Sequence, residues 1–406
     1  MSTTASRRSS STLDTVRTLL ERPLASYQLV LGTTGLLLGL GLIMVLSASS
    51  VFALRVYGNS FEIFGRQAIF AVVGLVAMVI AMRIPLERVR QLARPALLAV
   101  VLLIGLTFTP LGMDINGNRN WIPLFAGFNL QPSEFAKLAI VLWIADLYTR
   151  RHRHLGTPRY VITPVVPIAG AVAALVVFQK DLGTAVILFA IIAGMLWVAG
   201  LPLKPMLGFG AGLVVLLLFF VATAQHRVDR FMSFLNPMAD PEQSGYQAIK
   251  AMMGFARGGF WGLGLGSSRQ KWGALPEAHT DFILAVIGEE LGLAGSLVIL
   301  VLFCLLAYTG FRIAHRSRDR FAGYLAAGIT IWLTTQAIIN IGMVLGMLPV
   351  IGVPLPLISY GGSSMIATLA ALGLLANCAT TEPGAARALS TSRRAKARKK
   401  QRTVGR

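Results

Sequence analysis

SRQKWGALPEAHTDFILAVIGEELG, residues 268–292, runs from a polar segment directly into an apolar helix. The polar half carries Glu277, His279, Thr280 and Asp281, and the apolar half takes two adjacent acids, Glu289 and Glu290, along with it. At 1.5 Å per helical residue those acids lie about 12 Å beyond Asp281. Carboxylates at membrane depth are costly, so each needs a partner or a function. The rest of the chain decides whether this helix is a span and what the polar segment faces.

The 406-residue chain is 55% hydrophobic and 13% charged, with a mean hydropathy of +0.68. A soluble domain carries about 25% charged residues. Apolar runs of spanning length recur from about residue 28 to 380, which predicts an all-α, polytopic integral membrane protein of about ten transmembrane helices. The eighth span is expected over about 281–309, preceded by a large extracytoplasmic loop over about 225–280 between spans seven and eight. Three regions follow: a tail at 1–27 with an interfacial helix from Ser11, the membrane domain at 28–380, and a basic flexible tail at 381–406.

The net charge of +20 would suit a nucleic-acid binder, but its distribution argues for topology. Counted on alternate sides of the spans, well over half of the 37 Lys and Arg residues fall on the side that holds both termini. The positive-inside rule therefore puts both termini in the cytoplasm of a multi-pass plasma-membrane protein. The excess charge then meets anionic membrane lipid, and no nucleic-acid partner is expected. Cys304 and Cys378 fall in spans as packing residues and imply no disulfide framework.

The polar residues that this topology leaves on the outer side are the candidates for chemistry. Thr280 and Asp281 suit a helix cap, with the dipole favouring the carboxylate. Three features add a catalytic reading for Asp281: the loop before it is long, it is not of low complexity, and Glu277 and His279 crowd it as tuners of its protonation. In QPSEFAKLA (131–139), Glu134 and Lys137 share a helix face, either as a mutually neutralised pair or with Lys137 offered to an anionic head group. NGNRNW (116–121) presents Asn116, Arg119, Asn120 and Trp121, with Arg119 the anion contact and Trp121 a belt residue. Arg55, Arg66 and Lys180 share the outer side. Glu289 and Glu290 differ by about 100° around the helix, so they cannot both face one partner, and a structural role suits them. The Pro/Gly-rich stretch at 346–363, GMLPVIGVPLPLISYGGS, is a re-entrant connection, tolerated at membrane depth only when buried in protein or lining a polar cavity. The glycine run GGFWGLGLGSSRQK (258–271) lacks the GK[ST] ending of a phosphate loop. No His/Cys cluster has zinc spacing.

LPEAHTDFILAVIGEELG, QPSEFAKLA, NGNRNWI, KDLGTA (180–185) and PLPLISYGGSS (354–364) together resemble the SEDS family of shape, elongation, division and sporulation proteins, nearer its division branch than its elongation branch. The resemblance covers most of 28–380. It implies a peptidoglycan glycosyltransferase that polymerises lipid II, works with a class B penicillin-binding protein transpeptidase and other divisome membrane proteins, and acts at the division septum. It implies that Asp281 is the essential outer-loop aspartate and that Glu134 and Lys137 are the acid and lysine of the QPSE motif. Arg66, Glu277, His279, Thr280 and Ser359 are supporting candidates around the substrate, and a divalent cation, Mg or Mn, is a candidate cofactor with unknown ligands. In one departure, Lys180 stands where the family usually has proline, which leaves that turn less constrained. A lipid II flippase, an elongation-type polymerase and a pure scaffold are the rival readings.

Overall fold

The computed structural model describes residues 22–388, except 116, 125–127, 156, 223–224, 240–244 and 274, together with 391. The interfacial helix expected from Ser11, the end of the basic tail and Asn116 lie outside the described residues. The helices are α1 (Ala25–Tyr57), α2 (Glu62–Arg83), α3 (Leu86–Thr107), α4 (Pro132–Arg150), α5 (Pro158–Phe178), α6 (Leu182–Val198), α7 (Leu203–Ala222), α8 (Gln225–Leu235), α9 (Tyr246–Gly258), α10 (Ile283–Glu290), α11 (Gly292–Arg316), α12 (Arg320–Val344) and α13 (Gly362–Ala379).

Among the described residues, eight helices are long and apolar enough to cross a membrane: α1, α2, α3, α5, α7, α11, α12 and α13. The sequence also places spans at α4 and α6. The first of these carries Glu134, Lys137, Asp146 and Arg150, and the second is 17 residues long. The chain is thus a multi-pass helical membrane protein. Helix α13 packs along α2, and α12 lies between α4, α6 and α11, so α12 and α13 are the most enclosed. Among the described residues of its apolar stretch helix α7 buries none fully, and Met206, Phe209, Leu213 and Phe220 pack partly against the core. With no hydrophobic drive between helices in lipid, close approach needs small residues. Gly373 of α13 lies against the backbone of Met78 in α2, and Gly328 of α12 against Val141 of α4.

Two irregularities shape the rest. The segment after α3 folds into three short antiparallel strands, β1 (Met113–Ile115), β2 (Asn118–Pro123) and β3 (Asn129–Leu130), in the order β1-β2-β3, with Met113 opposite Trp121 and Ile122 opposite Leu130. The span expected over 281–309 is two helices rather than one. It breaks between α10 and α11 at Gly292, whose φ of +68° an L side chain rarely adopts. The glycine run fills this break. Leu263 and Gly264 donate to the carbonyls of Glu289 and Glu290, and Leu293 and Ala294 donate to Gly259 and Phe260. The run is therefore a backbone clamp across a broken helix, because only glycines bring two main chains this close.

The stretch between α12 and α13 is non-helical and largely buried, as the prolines at 349, 354 and 356 require. Buried backbone needs hydrogen-bond partners, and three side-chain amides supply them. Gln67 donates to the Ser359 carbonyl (3.2 Å) and accepts from the Gly361 amide (3.2 Å). Gln336 donates to Pro354 (2.9 Å), and Asn340 donates to Val353 (2.7 Å).

Candidate active site

A cavity of about 680 Å³ opens where four segments converge: the β2–β3 strands with the start of α4, the α5–α6 turn, the loop before α10, and the re-entrant stretch. Asp281, Glu277, His279, Thr280, Arg66 and Glu134 all line it. Six of the residues singled out from the sequence therefore share one space, although they come from three separate segments, α2, α4 and the loop before α10.

Asp281 does not cap a helix. Helix α10 starts at Ile283, its N-cap is Phe282, and no side chain caps it. The turn from Glu277 consumes the capping position instead, because the Glu277 carbonyl takes the amides of both Thr280 (3.2 Å) and Phe282 (3.1 Å). Asp281 is held by its backbone, whose carbonyl accepts from Asn340 at 2.8 Å. Its carboxylate lies beside Gly352, where an added side chain would meet Oδ2 at 3.4 Å. The Tyr360 amide ties the same loop to the re-entrant stretch through the His279 carbonyl (3.0 Å). The His279 ring packs near Phe52 and Tyr360, with centroids 5.3 and 5.8 Å away. Burial holds its pKa below the usual histidine value, and the nearby Glu277 carboxylate opposes part of that shift.

The floor is organised by Asp181, which the sequence motif placed in a turn without assigning it a role. It is buried and accepts from Asn120 Nδ2 (3.0 Å), Gln131 Nε2 (2.9 Å), Ser133 Oγ (3.2 Å) and, as the N-cap of α6, the Thr184 amide (3.0 Å). A carboxylate with four donors is a fixed joint between β2, α4 and α6. Asn120 is left with a buried Oδ1 that has no partner among the described residues, at the cavity wall. The signal for this hub was a polar residue on each of three neighbouring segments, which becomes one site only after folding.

Several expected contacts are corrected. Arg119 does not line the cavity that Asn118, Asn120 and Trp121 line, and its guanidinium donates to the Thr109 carbonyl at 2.8 Å. Of the two readings of Glu134 and Lys137, the structure shows the neutralised pair, with Lys137 behind Glu134. At 1% and 2% exposure the two are buried together, 2.8 Å apart, and Lys137 also donates to Gln336 (3.0 Å) beneath the Trp332 ring. Ser359 is spent inside the re-entrant turn, where its hydroxyl accepts from the Leu355 amide (2.8 Å). Trp121 also lines the cavity. Arg66 faces the cavity but pairs with Glu62 at 3.1 Å.

Glu289 and Glu290, both fully buried, do face one partner segment. The turn at 268–271 wraps the end of α10 and reaches both sides of it. Ser268 Oγ donates to Glu289 (2.6 Å), while Lys271 Nζ (3.3 Å) and Ser47 Oγ (2.7 Å) meet Glu290. These acids anchor the loop that carries Asp281.

The FtsW/RodA/SpoVE family model, described as cell cycle protein, matches residues 27–383. The chain is 45% identical over 375 residues to a probable peptidoglycan glycosyltransferase FtsW of Mycobacterium tuberculosis, covering 92% of this chain and 71% of that one. It is 41% identical over 345 residues to the protein of the same description from Geobacter metallireducens, covering 85% and 92%. Among solved structures it is similar to a chain of a peptidoglycan synthase complex that coordinates polymerization and crosslinking, with a TM-score of 0.70 at 28% identity over 86% of this chain and 96% of that one. It is also similar to the rod shape determining protein RodA of Thermus thermophilus, with a TM-score of 0.63 at 26% identity over 87% and 96%.

Proposed function

The chain belongs to the FtsW/RodA/SpoVE family of cell cycle proteins, and from that premise we propose that it is an FtsW-type peptidoglycan glycosyltransferase, polymerising lipid II for septal cell-wall synthesis. The observation that carries the site is the convergence of Asp281, Arg66 and Lys180 on one cavity of about 680 Å³.

The reaction joins the C4 hydroxyl of an acceptor GlcNAc to C1 of a donor MurNAc. The C1–O bond to the lipid diphosphate breaks, and the hydroxyl proton leaves to a base. A sugar hydroxyl is a poor nucleophile, and a positioned carboxylate that takes its proton gives about 10²- to 10⁴-fold. Asp281 is that base. Direct displacement with one base inverts C1, from α donor to β product. Glu277, His279 and Thr280 shape the turn that presents Asp281, while the Asp181 joint fixes the opposite wall.

Among the described residues no group of three or more His, Cys, Asp or Glu could hold a metal ion. A Mg or Mn ion, if bound, would be held by Asp281 and would supply countercharge to the diphosphate. The catalytic loop faces the outside of the plasma membrane and both termini the cytoplasm, in keeping with the Lys/Arg asymmetry. A class B penicillin-binding protein is the crosslinking partner, by analogy with the synthase complex whose chain this one resembles.

A flippase needs a charged path near the midplane. The intramembrane acids that suggested one, Glu289 and Glu290, are engaged in anchoring the loop, which favours the polymerase. The test is glycan-chain formation from purified lipid II by the full chain with its transpeptidase. Asp281→Asn should give no polymer while its folding and membrane insertion match the parent. Wild-type chain lengths from that variant would refute the assignment.

A further inference from the structure

The diphosphate that leaves the donor sugar must meet positive charge, and the cations that the sequence offered for it are engaged elsewhere. Arg119 donates to a backbone carbonyl away from the cavity, Lys137 is buried against Glu134, and Arg66 is paired with Glu62. Lys180 is exposed and lines the cavity, and among the described residues no ion pair or hydrogen bond engages its ammonium.

Its backbone carries a second signal. Helix α5 ends in a left-handed turn in which the Lys180 amide donates to Val177 (2.9 Å) and the Asp181 amide to Val176 (3.3 Å). This pattern of two reversed bonds usually has glycine at the left-handed position. Lys180 holds a φ of +66° there, a conformation that costs any side chain and that proline, fixed near −65°, cannot reach. Gln179 pins the turn to α3 through Thr107 Oγ1 at 2.6 Å. A residue kept in an unfavourable conformation, when glycine would relieve it, points to a use for its side chain.

The turn and the base line the same cavity. Gly183 abuts the carbonyls of Ile351 and Gly352, and Gly352 in turn abuts the Asp281 carboxylate. Resting on the glycosyltransferase reading above, we propose that Lys180 binds the diphosphate of the lipid-linked donor, supplying the countercharge that the leaving group meets in this cavity.

The test uses the full chain in phospholipid vesicles with its transpeptidase and compares Lys180→Gln, Lys180→Arg and Lys180→Gly with the parent. A charge-assisted contact of this kind is worth about tenfold in affinity. Lys180→Gln should raise KM for lipid II and weaken inhibition by undecaprenyl diphosphate about tenfold each, and Lys180→Arg should restore both. Lys180→Gly should show the same loss with an unfolding temperature equal to or above the parent's, because glycine suits the turn. Unchanged KM and inhibition in Lys180→Gln would overturn the proposal. So would a Lys180→Gln defect seen only with free-acid and not with amidated stem peptides, which would move the contact to a stem carboxylate. If the parent makes no glycan, the glycosyltransferase reading fails, and direct binding of undecaprenyl diphosphate to parent and Lys180→Gln still decides the contact.

Discussion

Asn340 holds Asp281 by its main chain: one side-chain nitrogen donates to the Asp281 carbonyl at 2.8 Å and to the Val353 carbonyl at 2.7 Å. A single amide on α12 thereby fixes the loop that carries the base against the re-entrant stretch that walls the cavity. Asn340→Leu keeps the volume and deletes both bonds, leaving two carbonyls unmet. We expect a loss of about 1–3 kcal/mol in stability and a roughly 10- to 100-fold fall in kcat from misplacement of the carboxylate, with KM little changed. Thermal unfolding and lipid II polymerisation measure the two separately. A variant that is destabilised yet polymerises at the parental rate would show that Asn340 supports the fold alone.

Much of this arrangement could be read before the fold was known, and the limits have a physical pattern. Asp281, Glu277, His279 and Thr280 are neighbours in the chain, so a local reading grouped them correctly. The re-entrant stretch was legible because proline and glycine restrict the backbone directly. The direction of Arg119 was not legible because its bond to the Thr109 carbonyl sets it, and the two readings of Lys137 could not be separated because its partner Gln336 lies 199 positions away. The Asp181 joint gathers Asn120, Gln131 and Ser133 from separate segments, and no spacing rule connects them. The break at Gly292 was hidden because the apolar runs on either side of Glu289 and Glu290 read as one span. Hydropathy reports whether a segment suits lipid, and a clamp made of backbone hydrogen bonds leaves no trace in it.

The Lys271–Glu290 pair predicts that the loop depends on an acid inside the bundle. Both partners are nearly or fully buried, and Glu290 also accepts from Ser47 (2.7 Å) and the Ser268 amide (3.3 Å). Glu290→Ala leaves an ammonium buried and unpaired, at a cost of about 3–5 kcal/mol. The expected result is a lower unfolding temperature and faster proteolytic cleavage between residues 259 and 276. Cleavage at the parental rate would mean that the glycine clamp alone holds the loop.

Glu134 and Lys137 should behave as one unit. Lys137→Met strands a buried carboxylate beside Gln336, and Glu134→Gln strands a buried ammonium, so each single change should destabilise by several kcal/mol. The double variant removes both charges and should recover a large part of that loss. A double-mutant cycle on unfolding temperature reads the coupling, expected at about 1–3 kcal/mol. Additive losses would mean that the two residues matter through their separate neighbours, Trp332 and Gln336 for the lysine.

The His279 environment predicts how stability changes with pH. Burial penalises the charged imidazolium, so the folded-state pKa lies below the ordinary value of about 6.5 that the unfolded chain retains. Between those two values the unfolded state binds the extra proton, and stability therefore falls as pH drops. The contribution is complete above about pH 6.5, declines below it by up to about 1.4 kcal/mol per pH unit, and levels off under the folded-state pKa. Unfolding temperatures at about pH 7.5, 6.5 and 5.5 should show this decline in the parent and a shallower one in His279→Gln. Glu277 acts in the opposite sense, since its carboxylate favours the imidazolium. Glu277→Gln should depress the histidine further and extend the decline to lower pH. Superimposable profiles for the parent and His279→Gln would show that this ring does not govern the acid sensitivity of the site.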